Sequence, residues 1–323
     1  MLADLISSVP SEVESKVCRV RDQVRAVVQE ALRAECRLFL RTREDTEQNR
    51  PGAQVPIEVE AGYPLVLKKV AFPNDFEHIL LLGRYRLPLE QACTGASGLV
   101  PLRERLSCLP QPDEWTSVSG SDLLIVANWA AALLRVLDEH DPLKTVLSMS
   151  EDILGVYEVD ARALFADEHV ANRATIKLYW GVIGLLSQWI GCSVEDLAVV
   201  VLTHELAHAY TQLGADIEGR RWAVASFMKA ESALKEGLAQ YYTDRVLHRL
   251  ERRFGGALKI FLKLLPNQPE AYRSHQPWMQ SSSPEAVRRA LLEVRRRNER
   301  GLADFNRRLK IAQTELSPNH SNH

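Results

Sequence analysis

The 323-residue chain lacks any Cys-x-x-Cys pair, and its five cysteines are an odd number scattered from Cys18 to Cys192. Neither a disulfide framework nor a thiolate zinc cluster is expected, and the thiols read as free ones in a reducing compartment. The first residues, MLADLISSVPSEVESKV, carry acids early and have no basic start followed by an apolar core, so they do not read as a secretory signal. No apolar run reaches the roughly 18 residues of a membrane span. An excess of one charge is missing too: 40 Lys and Arg stand against 42 Asp and Glu, a formal net charge of -2. That leaves no overall field to draw nucleic acid or an anionic membrane. The Arg-rich segment 285–310 does not change this, because Ala286, Val287, Leu291, Leu292, Leu302, Phe305 and Leu309 give it an apolar face and acids interrupt it. The expectation is a soluble cytoplasmic protein, without nucleic-acid or membrane partners and without internal repeats.

What is present suffices for a large core: 46% of residues are hydrophobic and 25% charged, which fits one large domain or two ordinary ones. Residues 12–43 space Val13, Val17, Val20, Val24, Val27, Val28, Leu32 and Leu38 as one long amphipathic helix or two short ones. A polar loop with Pro51-Gly52 follows. Segments 55–72 and 76–87 read as several strands or hairpins, and 92–120 as a loop-rich connector. SDLLIVANWAAALLRVLDEH (121–140) reads as a strong helix. DILGVYEVD (152–160) and ATIKLYW (174–180) read as strands. Further helices are expected from about Arg220 to Arg252, at 257–264, 284–299 and 301–314, with a frayed tail after them. Residues 1–120 thus form an N-terminal helix plus a β-rich region, and 121–323 a second unit.

The chemistry concentrates in VVVLTHELAHAYTQLG (199–214). Ser193 with Asp196 three residues on signals the start of a helix, and Gly214 its stop. Residues four apart share a helix face, so His204 and His208 can converge on one ion while Glu205 borders the same cleft. This spacing also arises by chance, so context decides. Val199, Val200, Val201 and Leu202 make the helix apolar nearly all round, and burying two histidines and a glutamate without partners is costly. A hydrolytic zinc site takes three protein ligands. Glu236, amid Ala233, Leu234, Gly237 and Leu238 on the next strongly helical segment, is the leading third ligand, and Asp216 its rival.

THELAH and KEGLAQYY together resemble the gluzincin-type zinc metallopeptidases, in which His-Glu-x-x-His is completed by a glutamate on the following helix. The resemblance covers roughly residues 150–250. It implies an α+β, zincin-like fold: a small mixed sheet whose edge strand, here ATIKLYW, packs on two zinc-binding helices and pairs with extended substrate, followed by a helical C-terminal part. It implies one zinc ion held by His204, His208 and Glu236, with Glu205 as general base. The family often has an aspartate four residues after the third ligand to orient a histidine; this chain has Gln240 there, with Asp244 a further turn along. Tyr241, Tyr242, His248, Tyr272 and His275 are candidate donors to a developing oxyanion, Tyr242, Tyr272 and His275 being put forward in particular. Cys192, near a helix start, is weighed as a thiol of lowered pKa against a packed one.

These readings lead to a zinc-dependent endopeptidase acting on a protein or peptide. Residues 1–120 are a candidate regulatory part that binds a protein partner or holds the enzyme latent. The alternative, motivated by Gln240, is a zincin-fold regulatory or scaffold protein of weak or absent turnover.

Overall fold

The computed structural model describes residues 2–41, 52–64, 76–106, 119–140, 153–159 and 173–317. Its elements are mostly helical, with a small mixed sheet. The chain begins with α1 (Leu2–Ser7) and α2 (Glu12–Cys36). Val13, Val17, Val20, Val24 and Val28 of α2 are buried and Val27 only partly so, and the N-terminal amphipathic pattern resolves as a single 25-residue helix. It ends at Arg37, whose left-handed backbone (φ 51°) lets its N–H reach Arg33 O.

Strand β1 (Ile57–Glu60) follows. Residues 65–75 lie outside the described part. Beyond them the expected strands are instead two helices, α3 (Phe76–Gly83) and α4 (Arg86–Leu106), so the expected loop connector is helical as far as Leu106. The segment 76–87 contains one β-branched residue, Ile79, among leucines, and leucine is a strong helix former. Helix α5 (Gly120–His140) pairs along α4, and that packing overrides the low helix propensity of Gly95 and Gly98. The α5 helix is long and apolar enough to cross a membrane, by length and composition. The expectation that no apolar segment reaches this length misses α5, in which Asn128 and Arg135 interrupt the apolar residues.

Strands β2 (Gly155–Val159) and β3 (Ala174–Tyr179) complete a sheet of order β1-β3-β2. β1 runs parallel to β3, with Ile57 opposite Ile176, and β2 antiparallel, with Gly155 opposite Leu178. The segment expected as the edge strand is therefore the central one. A strand from more than a hundred residues upstream covers its other side, and the edge strand next to the histidine helix is β2.

Helices α6 (Trp180–Ile190) and α7 (Val194–Leu213) follow the sheet. Ser193 caps α7 by accepting from Asp196 N, 3.0 Å, and donates its hydroxyl to Asp196 Oδ2, 2.7 Å. Every residue of α7 from Leu197 to Leu213 is buried among α2, α6, β2, β3 and the two helices that come next, α9 (Ser232–Arg249) and α10 (Glu251–Leu264). Gly214 ends α7 in extended rather than left-handed backbone. The buried guanidinium of Arg295 caps that end, donating to Gly214 O at 2.6 Å and to Arg220 O at 2.7 Å. Short helix α8 (Val224–Met228) precedes α9, so the one helix expected from about Arg220 to Arg252 is two, and α11 (Glu270–Arg273) and α12 (Gln276–Ser281) lie where the sequence suggests no helix. α13 (Pro284–Arg297) and α14 (Leu302–Leu316) finish the chain close to the expected boundaries. Residues of α1, α2 and β1 share one hydrophobic core with α6, α7 and α9.

Candidate metal centre

Helix α7 projects His204 and His208 from one face, and α9 brings Glu236 against them. His204 Nε2 and His208 Nε2 lie 3.2 Å apart. Glu236 Oε2 lies 3.1 Å from His208 Nε2 and 3.3 Å from His204 Nε2. Three ligand atoms at about 2.0–2.1 Å from a tetrahedral zinc ion stand roughly 3.3 Å from one another, so this nearly equilateral triangle fits one face of such a site. Among the described residues, this trio is the group of His, Cys, Asp and Glu side chains arranged to hold a metal ion. Burial would push the Glu236 carboxyl up, but the two histidines, through charge and hydrogen bonds, hold it well below the usual carboxylate range.

The close approach of α9 depends on Gly237, where a Cβ would run into Ser274 Oγ and Trp278 Cη2. Glycine costs some helix propensity here, but it admits α11 and α12 against α9. The edge strand has a similar requirement: at Gly155 a Cβ would stand 2.8 Å from Val201 Cγ1 and 2.9 Å from Glu205 Oε1. Gly155 therefore lets β2 lie directly on the Glu205 carboxylate. Two residues on, Tyr157 stacks on His208 (centroids 5.9 Å apart, planes at 15°) and donates its hydroxyl to Gln212 Oε1 at 2.6 Å. Burial pushes the Tyr157 phenol well above its ordinary range, so it stays a donor. Neither Gly155 nor Tyr157 nor Gln212 was singled out from the sequence. The available signal was a glycine inside a strand pattern, which often marks close backbone approach.

The other candidates separate. Tyr272 of α11 stacks on His204, 5.8 Å between centroids and 20° between planes, and lines the same cavity as His204 and Glu205. His275 is buried but turns away, its Nδ1 2.8 Å from Tyr272 O and its Nε2 3.7 Å from Asp244 Oδ2. Asp244 is engaged with half-exposed His248, 2.6 Å from its Nδ1. Tyr241 packs edge-on against Tyr242, 5.2 Å between centroids, and beside Trp278. Tyr242 sits within the fields of Cys36, Arg288 and Arg295, on the side of α9 that faces α2 and α13, so it is core and not a donor to the metal cleft. Asp216 accepts from the N–H groups of Glu218 and Arg220, both at 2.9 Å, in the turn after α7. This removes it as a rival ligand. Gln240 does not orient a histidine through its carbonyl: its Nε2 donates to Gln268 Oε1 at 3.2 Å, and its Oε1 makes no hydrogen bond. Cys192 carries a thiol pushed up to about 12 by burial, the opposite of an activated sensor.

Compared with protein-family models, with curated proteins and with solved structures, the chain matches none.

Proposed function

We propose that the protein is a zinc-dependent metallopeptidase of zincin type, with His204, His208 and Glu236 as the ligands of one zinc ion. The triangle of their ligand atoms, with sides of 3.1 to 3.3 Å, carries this reading. When bound, zinc lowers the pKa of water and polarises a carbonyl. The chain supplies the rest. Glu205, 1% exposed and beside Gly155, takes the proton of the attacking water and passes it to the departing amine. Tyr272, against His204 on the cavity wall, donates its hydroxyl to the carbonyl oxygen as negative charge develops there. β2, an edge strand among the described residues and beside the cavity, is where an extended peptide would pair. Tyr157 holds the His208 ring by stacking, and is itself anchored by Gln212.

Retention of about one zinc per chain after metal-free dialysis, together with new N-termini in a proteome digest that vanish for Glu205→Gln, is the expected outcome. A metal-free chain, or unchanged cleavage by Glu205→Gln, would overturn it.

A second reading is a zincin-fold scaffold that binds zinc without efficient turnover. It is favoured by the tight closure of the trio, with His208 3% and Glu236 8% exposed, and by Gln240 bonding Gln268 where an acid would orient a zinc ligand. Zinc retained without cleavage of any peptide in the digest would select it.

A further inference from the structure

A second cavity, of about 230 Å3 against about 70 Å3 for the one beside His204 and Glu205, opens where the ends of α2 and α9 meet the start of α13. Among the described residues its lining carries Arg37, Arg245, Arg249 and Arg288 together with Glu35 and Glu285. Glu35, whose side chain is 7% exposed, accepts from Arg245 Nε at 2.9 Å through Oε2 and from Arg249 Nη1 at 3.0 Å through Oε1. One carboxylate thus has both oxygens engaged and holds two guanidinia in place. Arg288 is anchored as well, its Nε donating to Cys36 O at 3.0 Å. A guanidinium has more N–H groups than these bonds use, and they are within reach of a ligand: the side chains of Arg245 and Arg249 are 36% and 53% exposed.

Arg37 adds a second, independent sign. It holds the left-handed backbone that ends α2, with φ 51°, a conformation that glycine adopts without steric cost and arginine does not. A guanidinium kept where the backbone favours glycine is a mark of use of the side chain. We infer that this cavity binds a phosphate group, as the free ion or as the ester of a small molecule, with Arg37, Arg245, Arg249 and Arg288 as its donors. Four guanidinia against two carboxylates leave two positive charges in the described lining, and a phosphate group carries about -1.5 to -2 at pH 7. Planar guanidinia match its oxygens in pairs. A cation would meet the same excess as repulsion, and an apolar ligand would strip water from the guanidinia with nothing to replace it.

The test is calorimetric titration of the full chain, at low salt, with inorganic phosphate and with glycerol 3-phosphate, run in parallel on zinc-loaded and metal-stripped protein. Binding of one probe or both, at about one per chain with a dissociation constant below about 1 mM and the same with and without zinc, is the expected result. Tighter binding of inorganic phosphate assigns the free ion, and tighter binding of glycerol 3-phosphate the ester. Arg37→Gly and Arg249→Gln should each weaken binding at least about tenfold. Arg37→Gly should do so with the Tm of the ligand-free chain held or raised, because glycine suits that backbone, so its loss of binding is separable from loss of folding. Arg307→Gln, on α14 and outside the lining, should leave the affinity unchanged. Binding of neither probe, binding that vanishes when zinc is stripped, affinity unchanged in both Arg37→Gly and Arg249→Gln, or an equal loss in Arg307→Gln would overturn the inference. The metal ligands take no part in the cavity, so failure of the metallopeptidase reading leaves this result standing, and the reverse.

Discussion

Helices α7 and α5 are nearly equal in length, 20 and 21 residues, and both are rich in Val, Leu and Ala, yet they meet opposite fates. α7 is buried over its last 17 residues while carrying Thr203, His204, Glu205, His208, Thr211 and Gln212. In α5 only Ala127, Ala130 and Leu137 are buried, and Trp129 is 68% and Ile125 53% exposed. Apolar content alone therefore does not set burial: among the described residues α7 packs against α2, α6, α9, α10, β2 and β3, and α5 mainly against α3 and α4. Several polar residues of α7 have an outlet. Thr203 and Thr211 bond back to Val199 O and Ala207 O, at 2.7 and 2.9 Å. Gln212 accepts from Tyr157. The buried cluster of His204, His208 and Glu236 could bind a metal ion.

The comparison is broken most strongly at the metal. His208→Ala should reduce retained zinc from about one per chain to below roughly a tenth, because a two-ligand site remains. Stripping zinc from the unmodified chain should lower Tm by roughly 10 °C, the linkage expected for an ion present far above its dissociation constant; equal melting of loaded and stripped protein would contradict this. In the wall around the site, Leu202→Ala should cost about 2–5 kcal/mol, since Leu202 is fully buried. Gly155→Ala should cost about 1–3 kcal/mol by overpacking against Val201 and Glu205, and should lower turnover while zinc content holds. Loss of zinc with it would mean that β2 supports the ligands themselves. On α5, Ile125→Ser and Trp129→Ser should each change chemical-denaturation stability by no more than about 0.5 kcal/mol. A loss of several kcal/mol there would show that this face is covered in the folded protein. The smallest effect concerns thiols: Cys36 and Cys192, both pushed up to about 12 by burial, stay protonated at pH 8. Alkylation should modify them quickly only after unfolding.

Much of the site could be read directly from residue spacing, because His204, His208 and Glu205 lie on one helix and its cap, Ser193, is local. Glu236 was reachable because small and apolar neighbours marked a second buried helix. What escaped was non-local. The place of ATIKLYW in the sheet depends on β1, paired with it from far upstream. The helices at 76–106 depend on α5 as a packing partner, where local signals favoured strands and loops. Gln240 was read through its distance from Glu236, while its actual partner, Gln268, comes from a turn that no motif announces. Tyr157 became part of the site only once Gly155 let β2 close on α7.

The central claim, that the three side chains form a metal site, meets its most direct test in zinc content by plasma mass spectrometry of the unmodified chain and of Glu236→Leu, each loaded and dialysed together. The account predicts about one zinc per chain in the first and almost none in the second. No zinc in the unmodified chain, or equal zinc in both, would contradict it.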